Sequence, residues 1–326
     1  MSATLRYWLR LSRVFYHYRR KSTRLPYSPI RLWVELSSVC NYRCIMCPNK
    51  DLSKSQKGHM DMKLYRRIID QAAGAVFDIN LAHRGESMLH PRIVEAITYA
   101  RERGLYTRLH TNGSLLTENL AREIIASGLD RLSFSFDGYT RETYENIRKG
   151  GNFEQTLGNI LRLLEIKQET GSRTPETAIE VINFEKFSAP QLAQAKQQFQ
   201  DRFRNLPLDS FIMKELHNWA GEIDGQDRRV RYSVCPFPWN ALIIFWDGTV
   251  FPCTQDFFGY YPVGNAGQES LASLWNSQAM VALRGKLVAQ DIVDLDTCSR
   301  CDRPWRERIL GVPKEYLWKF LFRRMP

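Results

Sequence analysis

The chain has 326 residues, 44% hydrophobic and 25% charged, with a formal net charge of +11. That length permits a substantial core, fits one large domain with a small appendage, and excludes a disordered chain. No run approaches the roughly 20 apolar residues that span a bilayer, and the arginine-rich start lacks the apolar stretch of a signal peptide, so the expected location is cytoplasmic, with the inner face of the membrane as an extension of it.

The positive charge collects at the two ends. Residues 1–33 hold Arg6, Arg10, Arg13, Arg19, Arg20, Lys21, Arg24 and Arg31 and no acid, and residues 314–326 hold Lys314, Lys319, Arg323 and Arg324 against Glu315 alone. The body between is close to neutral. An enzyme acting on nucleic acid keeps a basic stripe in its body as well, so no nucleic-acid partner is expected. In a first segment, residues 1–30, Leu5, Trp8, Leu9 and Phe15 share one helical face, with Arg6, Arg10, Arg13 and Arg20 mostly elsewhere. Two readings follow: the aromatics pack on the domain and leave the arginines in water, or the helix docks on a membrane surface. The tail, residues 314–326, repeats the mixture.

From Arg31 short apolar runs alternate with longer helical patterns, the signature of a parallel sheet wound with helices. Strands are expected at Arg31–Leu36, Phe77–Ala82, Tyr106–His110, Arg131–Phe136, Thr177–Asn183 and Ser210–Lys214. Between them lie helices near Asp61–Ala73, Pro91–Arg103, Thr117–Ser127 (closed by Gly128), Arg141–Gln168 and Pro190–Phe203. The fold class is therefore α/β: a partial (β/α)6 barrel of the TIM type over residues 31–225, its site at the carboxyl ends of the strands. After Gly225 the pattern changes to a hairpin, Ala241–Trp246 and Thr249–Phe251 around the turn Asp247-Gly248, and a helical stretch Leu271–Val288. This is a small α+β domain over residues 226–313.

The seven cysteines form two sets. An odd total in a reducing compartment is better explained by metal ligation than by disulfides. Cys40, Cys44 and Cys47 follow the first strand with C-x3-C-x2-C spacing. Three thiolates on one loop hold three irons of a [4Fe-4S] cluster and leave the fourth open. A structural zinc site would need a closed fourth ligand, for which only His59 offers itself nearby. Further polar motifs follow successive strands: His83-Arg84-Gly85-Glu86-Ser87, then His110-Thr-Asn112-Gly113, then Ser133-Phe-Ser135-Phe-Asp137-Gly138, with Arg148 beyond. Singly, each is a turn or a cap. Their order behind the cysteine loop is what carries the reading.

In this cysteine loop, with bulky Met46 before the last thiol, the chain resembles the radical S-adenosylmethionine (SAM) superfamily. The resemblance implies that the open iron binds SAM and that an electron from the cluster cleaves it to a 5′-deoxyadenosyl radical, which abstracts hydrogen from substrate. Gly85 and Glu86 match the family's Gly-Gly-Glu-Pro motif at the SAM amino group, with Arg84 in place of the first glycine and Ser87 in place of proline. Asn112, Ser135, Asp137 and Arg148 match segments that surround SAM in the family. A flavodoxin or ferredoxin-type reductant is implied as the electron source. His83 and Arg84 flank the implied SAM site and are the candidates for facing substrate.

Cys235, Cys253, Cys298 and Cys301 give C-x17-C-x44-C-x2-C. Four thiolates close around zinc or around a complete [4Fe-4S] cluster, and spacing alone does not separate the two. The arrangement resembles the "twitch" form of the SPASM extension of radical SAM enzymes, which implies an auxiliary [4Fe-4S] cluster. Three ligands and four leave no cysteine to return a hydrogen atom to a substrate radical, so oxidation is favoured over epimerisation. The spacing is similar to that of the family's aminocyclitol dehydrogenases. The leading expectation is a radical SAM oxidoreductase of a small polyhydroxylated molecule, a sugar, aminocyclitol or lipid-linked sugar. The alternatives are a maturase of a ribosomally made peptide, for which the roughly 30 residues before the first strand are short of a leader-binding domain, and a non-catalytic iron–sulfur or zinc scaffold. His90, His110 and His217 are expected to be hydrogen-bonded packing residues, Tyr260 and Tyr261 packing residues, and Trp219 a pocket wall or barrel plug.

Overall fold

The computed structural model describes residues 3–182, 189–214, 218–223, 232–305, 308–309 and 312–313. The basic tail from 314, His217 and the boundary expected near 225 lie outside the described residues.

An N-terminal helix α1 (Ala3–Arg19) precedes six strand–helix units. These are β1 (Arg31–Val34), α2 (Met62–Ala72), β2 (Asp78–Asn80), α3 (Ile93–Glu102), β3 (Tyr106–Thr111), α4 (Glu118–Ala126), β4 (Arg131–Ser135), α5 (Arg141–Ile147), α6 (Phe153–Glu169), β5 (Glu176–Ile182), α7 (Ala189–Asp201) and β6 (Ser210–Lys214). Local chemistry sets several of the helix starts. Asp61 accepts from the Lys63 and Leu64 amides, Thr117 from Leu120 and Asn152 from Gln155, each satisfying a donor that the first helical turn leaves orphaned. The expected helical stretch Arg141–Gln168 is two helices, broken where Gly150 takes φ +93°.

The six strands pair in parallel in sequence order, β1 to β6, each beside its predecessor. This is the expected partial barrel. One face of its strands carries Leu32, Val34, Ile79, Leu109, Leu132, Phe134 and Ile179, all buried in one core with the helices. The opposite face is polar: Trp33, Asn80, Arg108, Arg131 and Glu176 stand in register across five strands, and His110 and Ser133 are paired further along.

The C-terminal region adds β7 (Ala241–Ile244), β8 (Thr249–Phe251), β9 (Gly264–Asn265), α8 (Leu271–Trp275), α9 (Gln278–Ala289) and α10 (Asp296–Arg300). The hairpin is as expected, with Gly248 at φ +87° in its turn. It does not stand apart from the barrel, because β7 pairs in parallel with β1 and makes one nine-stranded sheet ordered β6-β5-β4-β3-β2-β1-β7-β8-β9. The expected helix Leu271–Val288 is two helices, since Ser277 caps α9 by accepting from the Met280 amide.

A buried ion pair spans this junction. Arg84 donates twice to Glu35, each at 2.7 Å, and both side chains are within 3% of complete burial. The Arg84 guanidinium also lies 3.4 Å from the Phe245 ring centre and donates to the Phe257 carbonyl at 3.4 Å. Removing one charge strands the other in a dry interior. Arg84→Met alone is expected to lower stability by about 3–5 kcal/mol, and Glu35→Leu with Arg84→Met by clearly less, as read from urea-unfolding midpoints.

Candidate active site

The first cysteine loop leaves the carboxyl end of β1 and is stitched down from both sides. Glu86 N donates to Val39 O at 2.8 Å, and the Asn49 amide bridges the carbonyls of Ser38 and Arg84, each at 2.8 Å. On the other side Arg43 N donates to Lys149 O at 2.8 Å and Ile45 N to Ile147 O at 3.0 Å. Gly85 makes the first contact possible, since a Cβ there would lie 2.4 Å from Ser37 O and 2.5 Å from Val39 O. Ser87, where the family has proline, donates to Leu81 O at 2.6 Å and closes the turn by a hydrogen bond.

Within the loop, Tyr42 N donates to Cys40 Sγ at 3.5 Å and Arg148 Nη1 to Cys44 Sγ at 3.9 Å. Met46 is buried with Tyr42, Cys44 and Ile147. Burial pushes the Cys40 thiol up to about 12 and Cys47 to about 11, and raises Cys44 as well. Three thiols on one loop are the donor set of a [4Fe-4S] cluster with one open iron, and binding the cluster would ionise them.

The polar motifs close around this loop. Glu86 is buried, accepting from Thr111 Oγ1 and Met88 N through Oε1 and from Asn112 N through Oε2, and desolvation raises its carboxyl above the ordinary range. Asn112 donates to Asn41 at 2.9 Å, tying the third strand end to the cysteine loop. Asp137 accepts from Arg148 at 2.5 Å and from Ile182 N at 2.6 Å. Ser135, two residues before Asp137, is half-buried on the polar face of the sheet. Arg148 Nε is buried with no partner among the described residues, and Arg148 acts through charge on both Glu86 and Cys44. A carboxylate with one lone pair to spare and a guanidinium with an unused N–H, both at the cysteine loop, fit the ammonium and carboxylate of an amino-acid group.

His83 and Arg84 do not behave alike. Arg84 points away into its pair with Glu35, so the expectation that it faces substrate gives way to a positioning part. His83 lies between Phe245 and Phe257, ring centres 5.6 and 6.1 Å away. Its Nε2 has no partner among the described residues, and burial with the Arg84 charge pulls its pKa down to about 3, so the ring is neutral. His90 is the expected packing histidine, joined to Met60 O at 2.9 Å. His110 is hydrogen-bonded as expected, on the polar face of the sheet: its Nδ1 lies 3.3 Å from Glu180, which also pairs with Lys214. Trp219 meets Phe257 edge-on at 5.0 Å, and Tyr261 donates to Ala279 O at 3.3 Å.

The second set of thiols comes together from four places: Cys235 before β7, Cys253 after β8, and Cys298 and Cys301 in and after α10. All four line one cavity of about 270 Å³. Four thiols lining one cavity are the donor set of a closed four-cysteine site, zinc or a complete [4Fe-4S] cluster. Gln255 N donates to Cys253 Sγ at 3.3 Å, and the buried Gln255 Oε1 is unpartnered. Asp256 fixes the wall by accepting from Tyr260 N, Tyr261 N and Thr297 Oγ1. Glu35, Asn49, Gln255 and Asp256 carry no motif in the sequence. For Glu35 the one signal is an acid that closes an otherwise apolar strand run.

A parallel half-barrel with a three-thiol loop at the carboxyl end of its first strand, extended by a four-thiol cavity, defines an iron–sulfur enzyme of the radical SAM class. The radical SAM superfamily model matches residues 34–175, and the SPASM iron–sulfur cluster-binding domain matches residues 235–302. A PqqA peptide cyclase of Ruegeria pomeroyi is 33% identical over 308 residues, covering 85% of this chain and 80% of that one. The SAM-dependent 2-deoxy-scyllo-inosamine dehydrogenase of Niallia circulans is 22% identical over 274 residues, covering 82% and 91%. Among solved structures, BtrN in complex with AdoMet and 2-DOIA superposes with a TM-score of 0.56 at 18% identity, covering 84% of this chain and 92% of that one. The chain belongs to the radical SAM superfamily and is an enzyme of it. Its cofactors are accordingly SAM, the [4Fe-4S] cluster of the radical SAM domain and an auxiliary [4Fe-4S] cluster.

Gly85→Ala is expected to displace the backbone leading into Cys40 and to lower the iron retained after anaerobic reconstitution. Gly158→Ala, on α6 with nothing within 4 Å, should leave iron unchanged and stabilise by about 0.5–1 kcal/mol in thermal unfolding.

Proposed function

We propose that this enzyme is a radical SAM oxidoreductase that oxidises a small polyhydroxylated substrate, a sugar, an aminocyclitol or a lipid-linked sugar, and passes an electron to the auxiliary cluster. One observation carries it: four thiols ring one cavity, three occupy the loop, and no cysteine is left to return a hydrogen atom. When bound, SAM and its cluster supply the 5′-deoxyadenosyl radical that removes a substrate hydrogen. In this reading Cys40, Cys44 and Cys47 hold the first cluster, and Cys235, Cys253, Cys298 and Cys301 the second. Glu86 receives the SAM ammonium, Arg148 its carboxylate, and Asn112, Ser135 and Asp137 keep those two groups in place, with Met46 shielding the loop from water. His83 presents a neutral nitrogen beside the site.

The polar face of the half-barrel favours a hydroxyl-rich substrate. Asn80 Oδ1, Arg108 Nε and Ser133 Oγ are buried there without partners among the described residues, beside the His110–Glu180–Lys214 group. Such groups reward a ligand that satisfies them. The radical SAM body (31–225), the auxiliary domain (226–313) and a flavodoxin or ferredoxin-type reductant complete the proposal. A peptide maturase is the second reading, favoured by the 33% identical peptide cyclase. Contact of the basic ends with a membrane is separate from this chemistry.

Anaerobic reconstitution with iron and sulfide should give about eight irons per chain and 5′-deoxyadenosine on reduction with SAM. Cys298→Ser with Cys301→Ser should fall to about four irons and still cleave SAM. Cleavage lost with the first loop intact, or about four irons in the unaltered chain, overturns the electron-acceptor role. Cleavage stimulated by a peptide and by no sugar or aminocyclitol supports the maturase instead.

A further inference from the structure

Among the described residues, helix α1 packs one apolar face on the domain and leaves a second one exposed. Tyr7, Leu11, Val14 and Tyr18 face the core. The Tyr7 ring lies 4.8 Å from Phe77 and the Tyr18 ring 5.7 Å from Trp239. Arg10 donates to the carbonyls of Gly74 and Ala75. The helix is thereby held lengthwise against the domain. The other face, which sequence periodicity marked out as apolar, points outward, with Leu9 53%, Phe15 45% and Tyr16 52% exposed and Leu5 49% and Trp8 37% beside them. These five are half of the ten large exposed hydrophobic residues among those described, so the patch is not ordinary scatter.

We propose that this face of α1 is a docking surface for an anionic lipid bilayer, with the helix lying in the plane of the headgroups. Three observations choose that occupant. Arg13, Arg19 and Arg20 are exposed on the same side, and no acid lies within the first 33 residues, which complements a phosphate-bearing surface. A second copy of the chain would bring two such cationic faces together, at an electrostatic cost. Leucine, tryptophan, phenylalanine and tyrosine flanked by arginine are the residues that seat a helix roughly 5–10 Å into the headgroup boundary. Because the inner face is docked, the helix need not detach to bind. No helix among the described residues is long and apolar enough to cross the membrane, so the contact is peripheral. The substrate or its carrier would then be met at the bilayer surface.

Flotation of the full chain with vesicles of phosphatidylcholine, alone or mixed with phosphatidylglycerol, tests this. The protein should float with the mixed vesicles at least tenfold more than with phosphatidylcholine alone, and high salt should weaken it. Leu9→Glu with Phe15→Glu should abolish flotation while leaving the iron content, the circular dichroism and SAM cleavage in solution unchanged. Flotation equal for the two vesicle types, equal for variant and parent, or absent altogether overturns the proposal. A parent that sediments as a dimer which the double variant dissolves, without vesicle binding, assigns the face to a second copy. None of these results depends on which substrate is oxidised.

Discussion

The buried pair between Glu35 and Arg84 is the constraint on which both halves of the molecule lean. Glu35 closes the first strand, its amide donating to Ile244 O of β7 at 2.9 Å, and its carboxylate accepts from the Arg84 amide at 3.2 Å and from Trp246 N at 3.4 Å. Arg84 sits where a glycine would otherwise precede Gly85, and it reaches from the second strand's loop to Phe245 and Phe257 of the auxiliary region. One dry ion pair therefore ties the loop that leads into Glu86 to the end of β1 and to Phe245 and Phe257 beyond β7. Its value is positional: two charges in so dry a setting give little net stability, and each is costly without the other.

That arrangement lets the site be built from backbone as much as from side chains. The cysteine loop has no regular structure beyond a short turn, yet its amides and carbonyls are taken up by the segments after the second strand and after α5. These two segments carry Glu86 and Arg148. The groups suited to the two ends of an amino acid are thus fixed by the same hydrogen bonds that fix the thiols. Buried polar networks hold one arrangement when every member is satisfied, and here the exceptions, Arg148 Nε and His83 Nε2, lie next to the loop. On the polar face below, Asn80 Oδ1, Arg108 Nε and Ser133 Oγ are likewise buried without a partner among the described residues.

Much of this was legible in the chain. The strand and helix order was readable because apolar period and capping residues agree locally, as at Asp61 and Thr117, where an acceptor side chain precedes the first helical turn. The expected bounds differ from the observed ones by a few residues, mainly at strand ends such as Leu36 and Ala82, where the chain leaves the ladder to form the site. The spacing of Cys40, Cys44 and Cys47 was legible because three ligands on one loop need no tertiary contact to be recognised. The environment of Arg84 was not, since its partner is 49 residues away and a buried arginine looks like any other in sequence. The partners of His110 were not legible for the same reason: Glu180 and Lys214 come from two other strands.

The sequence by itself determined the periodicities, the two thiol sets and the crowding of cations at the ends, because these depend on spacing and composition alone. Only the tertiary structure decided that the hairpin continues the barrel sheet through β7, that Cys235, Cys253, Cys298 and Cys301 surround one cavity, and which face of α1 looks outward. Each of those outcomes is a choice among surfaces of similar hydrophobicity. Local pattern cannot rank such surfaces, whereas packing against a particular neighbour does.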